Sequence, residues 1–225
     1  RIGIDVGGTF TDFTLLKEED GAVSYHKVAS TPHDPSQAIE EGIADLLATH
    51  RISPAQIGHV GHGTTVATNL VIERRGAVTG MLTTKGFRDV IEIGRQVRPH
   101  LFDYRVVKPP PLAARAHRHE INERIDAQGK VIAALDEREV ETAAMRLKAA
   151  GVRSVAVCFL HSYRNTAHEQ AARRVVERVL PDAYISVSSE VLPEFREFER
   201  WSTTLLNAAV GPRMQTYLES FLARV

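Results

Sequence analysis

Apolar residues open the chain at every second position. Ile2, Ile4 and Val6 set the period, and strand patterns return over Phe13 to Lys17 and over Val23 to Ala29. Period two describes a strand with one buried face. Gly7 and Gly8 punctuate the first pair, and Glu19, Asp20 and Gly21 the second, so a three-stranded meander is predicted. The period then lengthens. Ile39, Ile43, Leu46 and Leu47 share one helical face behind Asp34 and Pro35, an N-cap and first-turn pair, and the helix runs to His50.

The alternation of strand and helix continues. Ile57 to Val60 reads as a strand, Gly61 to Thr65 as a turn, Val66 to about Arg74 as a helix and Val78 to Thr83 as a strand. Residues 86–119, with Pro99 and the triplet Pro109, Pro110, Pro111, read as an irregular excursion. Beyond Gly129 the pattern gives a helix from Asp136 to Ala150, a strand Ser154 to Leu160, a helix Thr166 to Leu180 and a strand Tyr184 to Val187. Asp136 with Glu139 and Thr166 with Glu169 have capping-box spacing. From Glu194 the tail is helical, with Gly211-Pro212 predicted to interrupt it. The class is α/β, a mixed sheet with flanking helices.

Composition adds exclusions. Lys+Arg and Asp+Glu each number 28, for a formal net charge of zero, which argues against a chain whose main task is to neutralise nucleic acid or an anionic membrane. No apolar run approaches the roughly 18 to 20 residues of a bilayer span and no leader pattern is seen, so no membrane partner and a cytoplasmic location are expected. The single cysteine, Cys158, lies in the apolar run from Val155 to Leu160 and reads as a buried, inert thiol. The chain begins inside a strand pattern at Arg1 and ends on an apolar stretch at Val225, the pattern of a piece of something longer. Homo-oligomerisation stays open.

The candidate chemistry starts at Asp5-Val6-Gly7-Gly8-Thr9-Phe10-Thr11-Asp12, between the first two strands. Gly7 and Gly8 let a ligand approach the backbone, while successive N–H groups and the Thr9 and Thr11 hydroxyls donate to phosphate oxygens. Asp5, at a strand end, suits Mg²⁺ held through water. The segment lacks the spacing of the dinucleotide fingerprint and the Gly-Lys-Ser/Thr of a P-loop, so it is a phosphate hairpin of another kind.

A second group, His59, Gly61, His62, Gly63, Thr64, Thr65 and Asn69, falls at a strand-to-helix turn, where free N–H groups and hydroxyls suit an anion or a substrate carbonyl. The alternative is a threonine helix cap beside a packed histidine. A metal set from His59, His62, His117 and His119 has no carboxylate or cysteine at a familiar ligand spacing. Arg95 and Arg98, in the excursion, offer forked donors for carboxylate or phosphate. The charged stretch from Glu190 to Arg200 reads as a salt-bridged amphipathic helix, with substrate contact by Glu194, Glu197 and Arg200 as the alternative.

Four blocks in order carry a resemblance: Asp5 to Asp12, His62-Gly-Thr-Thr-Val-Ala-Thr-Asn69, Ile93-Gly-Arg-Gln-Val-Arg-Pro99, and Leu192-Pro-Glu-Phe-Arg-Glu-Phe-Glu-Arg200 followed by Ser202-Thr-Thr and Asn207-Ala. Together they resemble the N-terminal region of the hydantoinase A / 5-oxoprolinase family. The resemblance implies the N-terminal portion of an ATP-binding lobe of the actin, Hsp70 and sugar-kinase superfamily, a ribonuclease H-like fold. It divides the chain into 1–190, the N-terminal α/β region, and 191–225, the helical start of a following core domain.

It further implies ATP and Mg²⁺ as cofactors, a cyclic amide as substrate and a hydantoinase B-type subunit or domain as partner. Carried over by motif, Asp5, Gly7, Gly8, Thr9 and Thr11 take the phosphates and the metal. Asp5, Asp12 and His62 are the catalytic candidates, and Thr64, Thr65, Asn69, Arg95 and Arg98 the substrate or phosphate contacts. Relatives include ATP-dependent acetone and acetophenone carboxylases, the competing enzyme reading, and a non-catalytic nucleotide-binding module is the competing class. No second Gly-rich nucleotide signature follows Thr204, so the chain is expected to hold half of an ATP site and not to turn over alone.

Overall fold

The structure, a computed structural model, describes residues 1–31, 33–97, 102–103 and 105–224. It falls into two compact units, Arg1–Arg75 with Arg213–Val225, and Gly76–Pro212. The final helix contributes residues to both units, so the chain is partitioned by packing and not by a single cut.

In the first unit, β1 (Ile2–Val6), β2 (Phe10–Leu16) and β3 (Val23–Ala29) form the expected meander, followed by α1 (Pro35–His50), β4 (Val60–Thr64) and α2 (Val66–Ile72). The sheet order is β3-β2-β1-β4, and β4 runs parallel to β1. Alternation turns Ile2, Ile4, Val6, Phe13 and Leu15 to one face, where Ile39 and Leu46 of α1 and Tyr217 cover them. Asp34 caps α1 through the Ser36 N–H at 3.1 Å. Gly42 lets α1 approach the sheet, since a Cβ there would lie 2.2 Å from the Phe13 ring.

Two boundaries in this unit differ from expectation. The second strand starts at Phe10, ahead of Phe13. The fourth is Val60–Thr64, so the residues read as a turn are the strand itself. Gly61 and Gly63 have low strand propensity, but pairing of Val60 to Thr64 with Ile2 to Val6 gives their backbone groups partners, and tertiary context overrides propensity.

The second unit contains β5 (Thr79–Thr84), α3 (Val90–Ile93), β6 (Arg118–Ile121), β7 (Arg124–Ile125), β8 (Val131–Ala133), α4 (Glu137–Ala149), β9 (Ser154–Cys158), α5 (Ala167–Val179), β10 (Tyr184–Val187), α6 (Ser188–Val191) and the part of α7 (Glu197–Arg224) that ends at Pro212. Its main sheet, β10-β9-β5-β6, is wholly parallel. Both faces are covered, as parallel sheets require, and β5 and β9 are buried at every residue. Val140, Ala144 and Leu147 of α4 and Ala172, Val175 and Val176 of α5 pack with Leu82, Val155 and Val157. Trp201, Leu205 and Ala208 of α7 pack with Met81, Ala156 and Cys158. Burying a side chain of this kind stabilises by about 1.5–3 kcal/mol.

The excursion holds more structure than expected. It contains α3, a 3-10 turn at Arg115–His117 and the start of the core strand β6. α7 is also continuous through Gly211 and Pro212, where an interruption was expected. Glycine at 211 reflects close packing, since a Cβ there would lie 2.2 Å from the Tyr184 ring. Among the described residues no helix is long and apolar enough to cross a membrane.

Candidate functional site

The hairpin between β1 and β2 closes through the Gly7 N–H to the Phe10 carbonyl at 3.0 Å. A Cβ on Gly7 would stand 2.9 Å from that carbonyl oxygen, and one on Gly8 would stand 3.1 Å from Asn69 Nδ2. The first glycine permits the tight turn, and the second lets the turn rest against α2.

Ser30 organises the turn from β3's end. Its N–H donates to the Thr9 carbonyl at 2.9 Å and its hydroxyl to the Gly7 carbonyl at 2.8 Å. With the Ser30 proton committed, Thr11 donates to Ser30 Oγ at 3.0 Å. Two carbonyls of the turn are therefore occupied, whereas the Gly8 and Thr9 N–H groups have no partner among the described residues. Gly8 and Thr9 are exposed. A turn with its acceptors tied back and its donors free suits an anion.

The expected phosphate donors separate accordingly. The Thr9 side chain is exposed, but Thr11 alternates inward with Phe13 and Leu15, is fully buried and braces the turn through Ser30. Sequence reasoning missed Ser30, whose role comes from the register that sets β3 beside β2 and leaves no local motif.

Asp5 and Asp12 stand opposite each other on β1 and β2, on the open face of the sheet. Asp12 pairs with Lys27 at 2.8 Å. Asp5 has no hydrogen bond or ion pair among the described residues, so its carboxylate is the uncommitted one. Both are hard oxygen donors of the type magnesium takes, directly or through its waters. Among the described residues no three His, Cys, Asp or Glu side chains gather to hold a metal by themselves.

Thr64, Thr65 and Asn69 lie beside the hairpin. The Thr65 N–H donates to the Val6 carbonyl at 3.1 Å, both threonine hydroxyls lie 3.4 Å from that oxygen, and Thr64 Oγ1 caps the Val66 N–H at 3.1 Å. Asn69 donates to Thr65 Oγ1 at 3.5 Å. The start of α2 is thereby fastened to the base of the turn.

His62 goes the other way. It neighbours Ile4 in the register, on the buried face, where Nε2 is hydrogen-bonded to the Tyr217 hydroxyl and the ring lies 4.8 Å from the Phe221 ring. Burial holds its pKa below the ordinary imidazole value, with the Asp5 charge acting in the opposite direction. Burial likewise raises the Tyr217 phenol. His62, a catalytic candidate on the resemblance, is thus packed against Tyr217 and Phe221.

Arg95 belongs to the second unit and pairs with Glu199, and Arg98 lies outside the described residues. In that unit the sequence pointed away from a buried polar node. Glu169, expected to complete a capping box with Thr166, instead accepts from the Phe159 N–H at 2.8 Å, the Ser188 hydroxyl at 2.6 Å and the Ser189 N–H at 2.8 Å. Burial raises its pKa. Arg200, expected on a solvated helix face, is buried and donates to Ser188 Oγ, the Glu194 carbonyl and the Phe159 carbonyl. Glu139 also leaves its expected capping box and accepts from the Asn122 N–H at 2.9 Å. Cys158 is buried, with its pKa raised well above the ordinary value by burial.

Comparison with known proteins identifies the family. The chain belongs to the family described as the hydantoinase/oxoprolinase N-terminal region, whose model matches residues 1–180. It is 39% identical over 225 residues to caprolactamase subunit alpha of Pseudomonas jessenii, covering 97% of this chain and 32% of the relative. The crystal structure of the ATP-dependent caprolactamase from that organism superposes with a TM-score of 0.87 at 38% identity, covering 99% of this chain and 33% of that one. A nucleotide-free structure of acetone carboxylase, from work on ATP-dependent acetone carboxylation, gives a TM-score of 0.89 at 27% identity, again over 99% and 33%. The chain thus has the mixed α/β fold of these enzymes' N-terminal regions and spans about a third of their length.

Proposed function

We propose that this chain is the phosphate-holding part of an ATP-dependent enzyme that opens a cyclic amide. The observation that carries the reading is the β1–β2 turn, with Gly8 and Thr9 N–H groups free, Gly7 and Thr9 carbonyls tied to Ser30, and the unpaired Asp5 carboxylate nearby. The family and the ATP-dependent caprolactamase support ATP as the anion.

The chemistry asks for little else from this unit. A lactam is a weak electrophile. Its carbonyl oxygen attacks the γ-phosphorus, the bond from that phosphorus to ADP breaks, and an O-phosphorylated imidate forms. Water adds to the imidate carbon and the ring nitrogen leaves, giving an acyl phosphate that a second water converts to carboxylate and phosphate. The protein's task in the first step is position and charge. Gly8, Thr9 and the Thr9 hydroxyl orient the phosphates. Asp5 would hold Mg²⁺ through water, and that ion supplies neutralisation of phosphate charge. Asp12, compensated by Lys27, sets the charge beside it. A B-type subunit or domain would complete the reaction.

The test is phosphate release from ATP by the full-length protein with its B-type partner, given 5-oxoproline, hydantoin, ε-caprolactam, or acetone with bicarbonate. Stimulation by a cyclic amide, lost in Asp5→Asn, is expected. Stimulation by acetone with bicarbonate alone would assign the protein to the carboxylases, and no stimulation by any of them would leave a binding module.

A further inference from the structure

Three glycines of the first unit occupy positions that the fold itself does not reserve for glycine. Gly3 of β1 neighbours Gly61 of β4, and Gly63 neighbours Asp5, so all three open onto the sheet face that carries Asp5. None has the left-handed φ that favours glycine. A Cβ on Gly3 would lie 3.8 Å from Thr14 Cβ, one on Gly61 3.8 Å from His59 Nε2, and one on Gly63 3.8 Å from Asp5 Oδ1. These are ordinary contacts. A strand gains from a side chain at such positions and loses order without one. Glycine inside a strand with no internal need marks close approach of something else to the backbone.

The dimensions and the rim describe that visitor. Adjacent strands lie about 4.8 Å apart and alternate residues of one strand about 6.7 Å apart, so the bare floor is the size of one small ring. Its edges are polar: Asp5 toward the phosphate turn, Thr14 at the side and His59 at the far end. Among the described residues none of these three side chains has a hydrogen bond or an ion pair. A protein segment laid over this face would bury three uncompensated polar groups, one of them a carboxylate. A small polar ring leaves their outer sides in water.

We propose that Gly3, Gly61 and Gly63 form the floor on which the cyclic amide lies, with His59 selecting substrates that carry a hydrogen-bond acceptor at the edge away from the phosphates. This rests on the reading of the turn as the ATP phosphate site and deepens it. The reacting carbonyl then faces the Asp5 end, where the strands run into the turn. His59 meets the carboxylate of 5-oxoproline or the second carbonyl of hydantoin, whereas ε-caprolactam presents no acceptor there.

The experiment measures phosphate release by the full-length protein with its B-type partner, varying ring and ATP separately, for wild type, Gly61→Val and His59→Ala. Gly61→Val is expected to raise the ring KM at least tenfold with the ATP KM within twofold of wild type, and to hold or raise the melting temperature. His59→Ala is expected to raise the KM for 5-oxoproline and hydantoin and to leave ε-caprolactam unchanged. An unchanged ring KM in Gly61→Val overturns the proposal while leaving the phosphate site intact. So does a fall in melting temperature with both KM values raised, since protein would then cover the floor. Absence of stimulation by every ring in wild type overturns this proposal and the cyclic-amide reading together.

Discussion

Ser30 donates its hydroxyl to the carbonyl of Gly7 at 2.8 Å, across a sequence separation of 23 residues. The bond shapes the turn by what it removes. A carbonyl facing an incoming phosphate would repel it, and Ser30 takes the carbonyls of Gly7 and Thr9 out of its way. Ser30→Ala is therefore expected to cost about 1 kcal/mol of stability and to weaken ATP binding several-fold. Thermal unfolding and an ATP titration of the same variant check both. Unaltered ATP affinity would mean that the turn keeps its shape without Ser30.

The two glycines of the turn respond differently from those of the floor. Gly7→Ala sets a Cβ 2.9 Å from the Phe10 carbonyl oxygen, a backbone atom that cannot step aside, and Gly8→Ala presses on the Asn69 amide at 3.1 Å. Gly7→Ala is expected to destabilise the chain by about 1–3 kcal/mol. Gly8→Ala is expected to cost less, because Asn69 is a side chain and can give way. Chemical denaturation of the two variants gives the order, and a larger loss in Gly8→Ala would contradict the geometry.

His62 predicts a pH dependence whose sign follows from burial. Its folded-state pKa lies below the ordinary 6.5, so within that interval the unfolded chain binds the proton more readily than the folded one. The contribution of neutral His62 is present above pH 6.5 and is lost as pH falls through 6.5 toward the lowered folded value. Melting temperatures of wild type and His62→Gln between pH 5 and 8 should differ most at the neutral end and converge on acidification. A constant difference would show that His62 does not titrate in its contact with Tyr217.

The strands and helices with long, regular periods were legible in the sequence: β1, β3, α1, α4, α5 and β10 stand within a residue or two of expectation. What the sequence misplaced was decided by partners distant along the chain. Gly61 and Gly63 read as a turn until pairing with β1 makes them a strand, and Gly211-Pro212 reads as a break until the Tyr184 ring explains the glycine. The β1–β2 turn was legible because its glycines and Asp5 lie within four residues of sequence. Ser30 and the inward face of Thr11 were not, because they depend on register. Glu169 misled most, since its spacing from Thr166 mimics a surface cap while its carboxylate is buried and holds three donors.

That buried node gives its own prediction. Glu169→Ala leaves the Phe159 and Ser189 N–H groups and the Ser188 hydroxyl without their acceptor, at a cost of about 3 kcal/mol or more. Glu169→Gln keeps an oxygen for part of the set and is expected to cost less than half as much. Denaturant melts of both variants separate the cases, and equal losses would show that charge, not hydrogen-bond geometry, holds the node.

The most direct measurement is a backbone amide NMR titration of the 225-residue chain with Mg²⁺ and ATP, with Gly8→Val as control. If the β1–β2 turn holds phosphates, the Gly8 and Thr9 amide signals move first and furthest, tripolyphosphate reproduces the shift, the Gly21 turn stays still, and Gly8→Val abolishes the response. Shifts that bypass Gly8 and Thr9, or that persist in Gly8→Val, would contradict the assignment of this turn as the phosphate site.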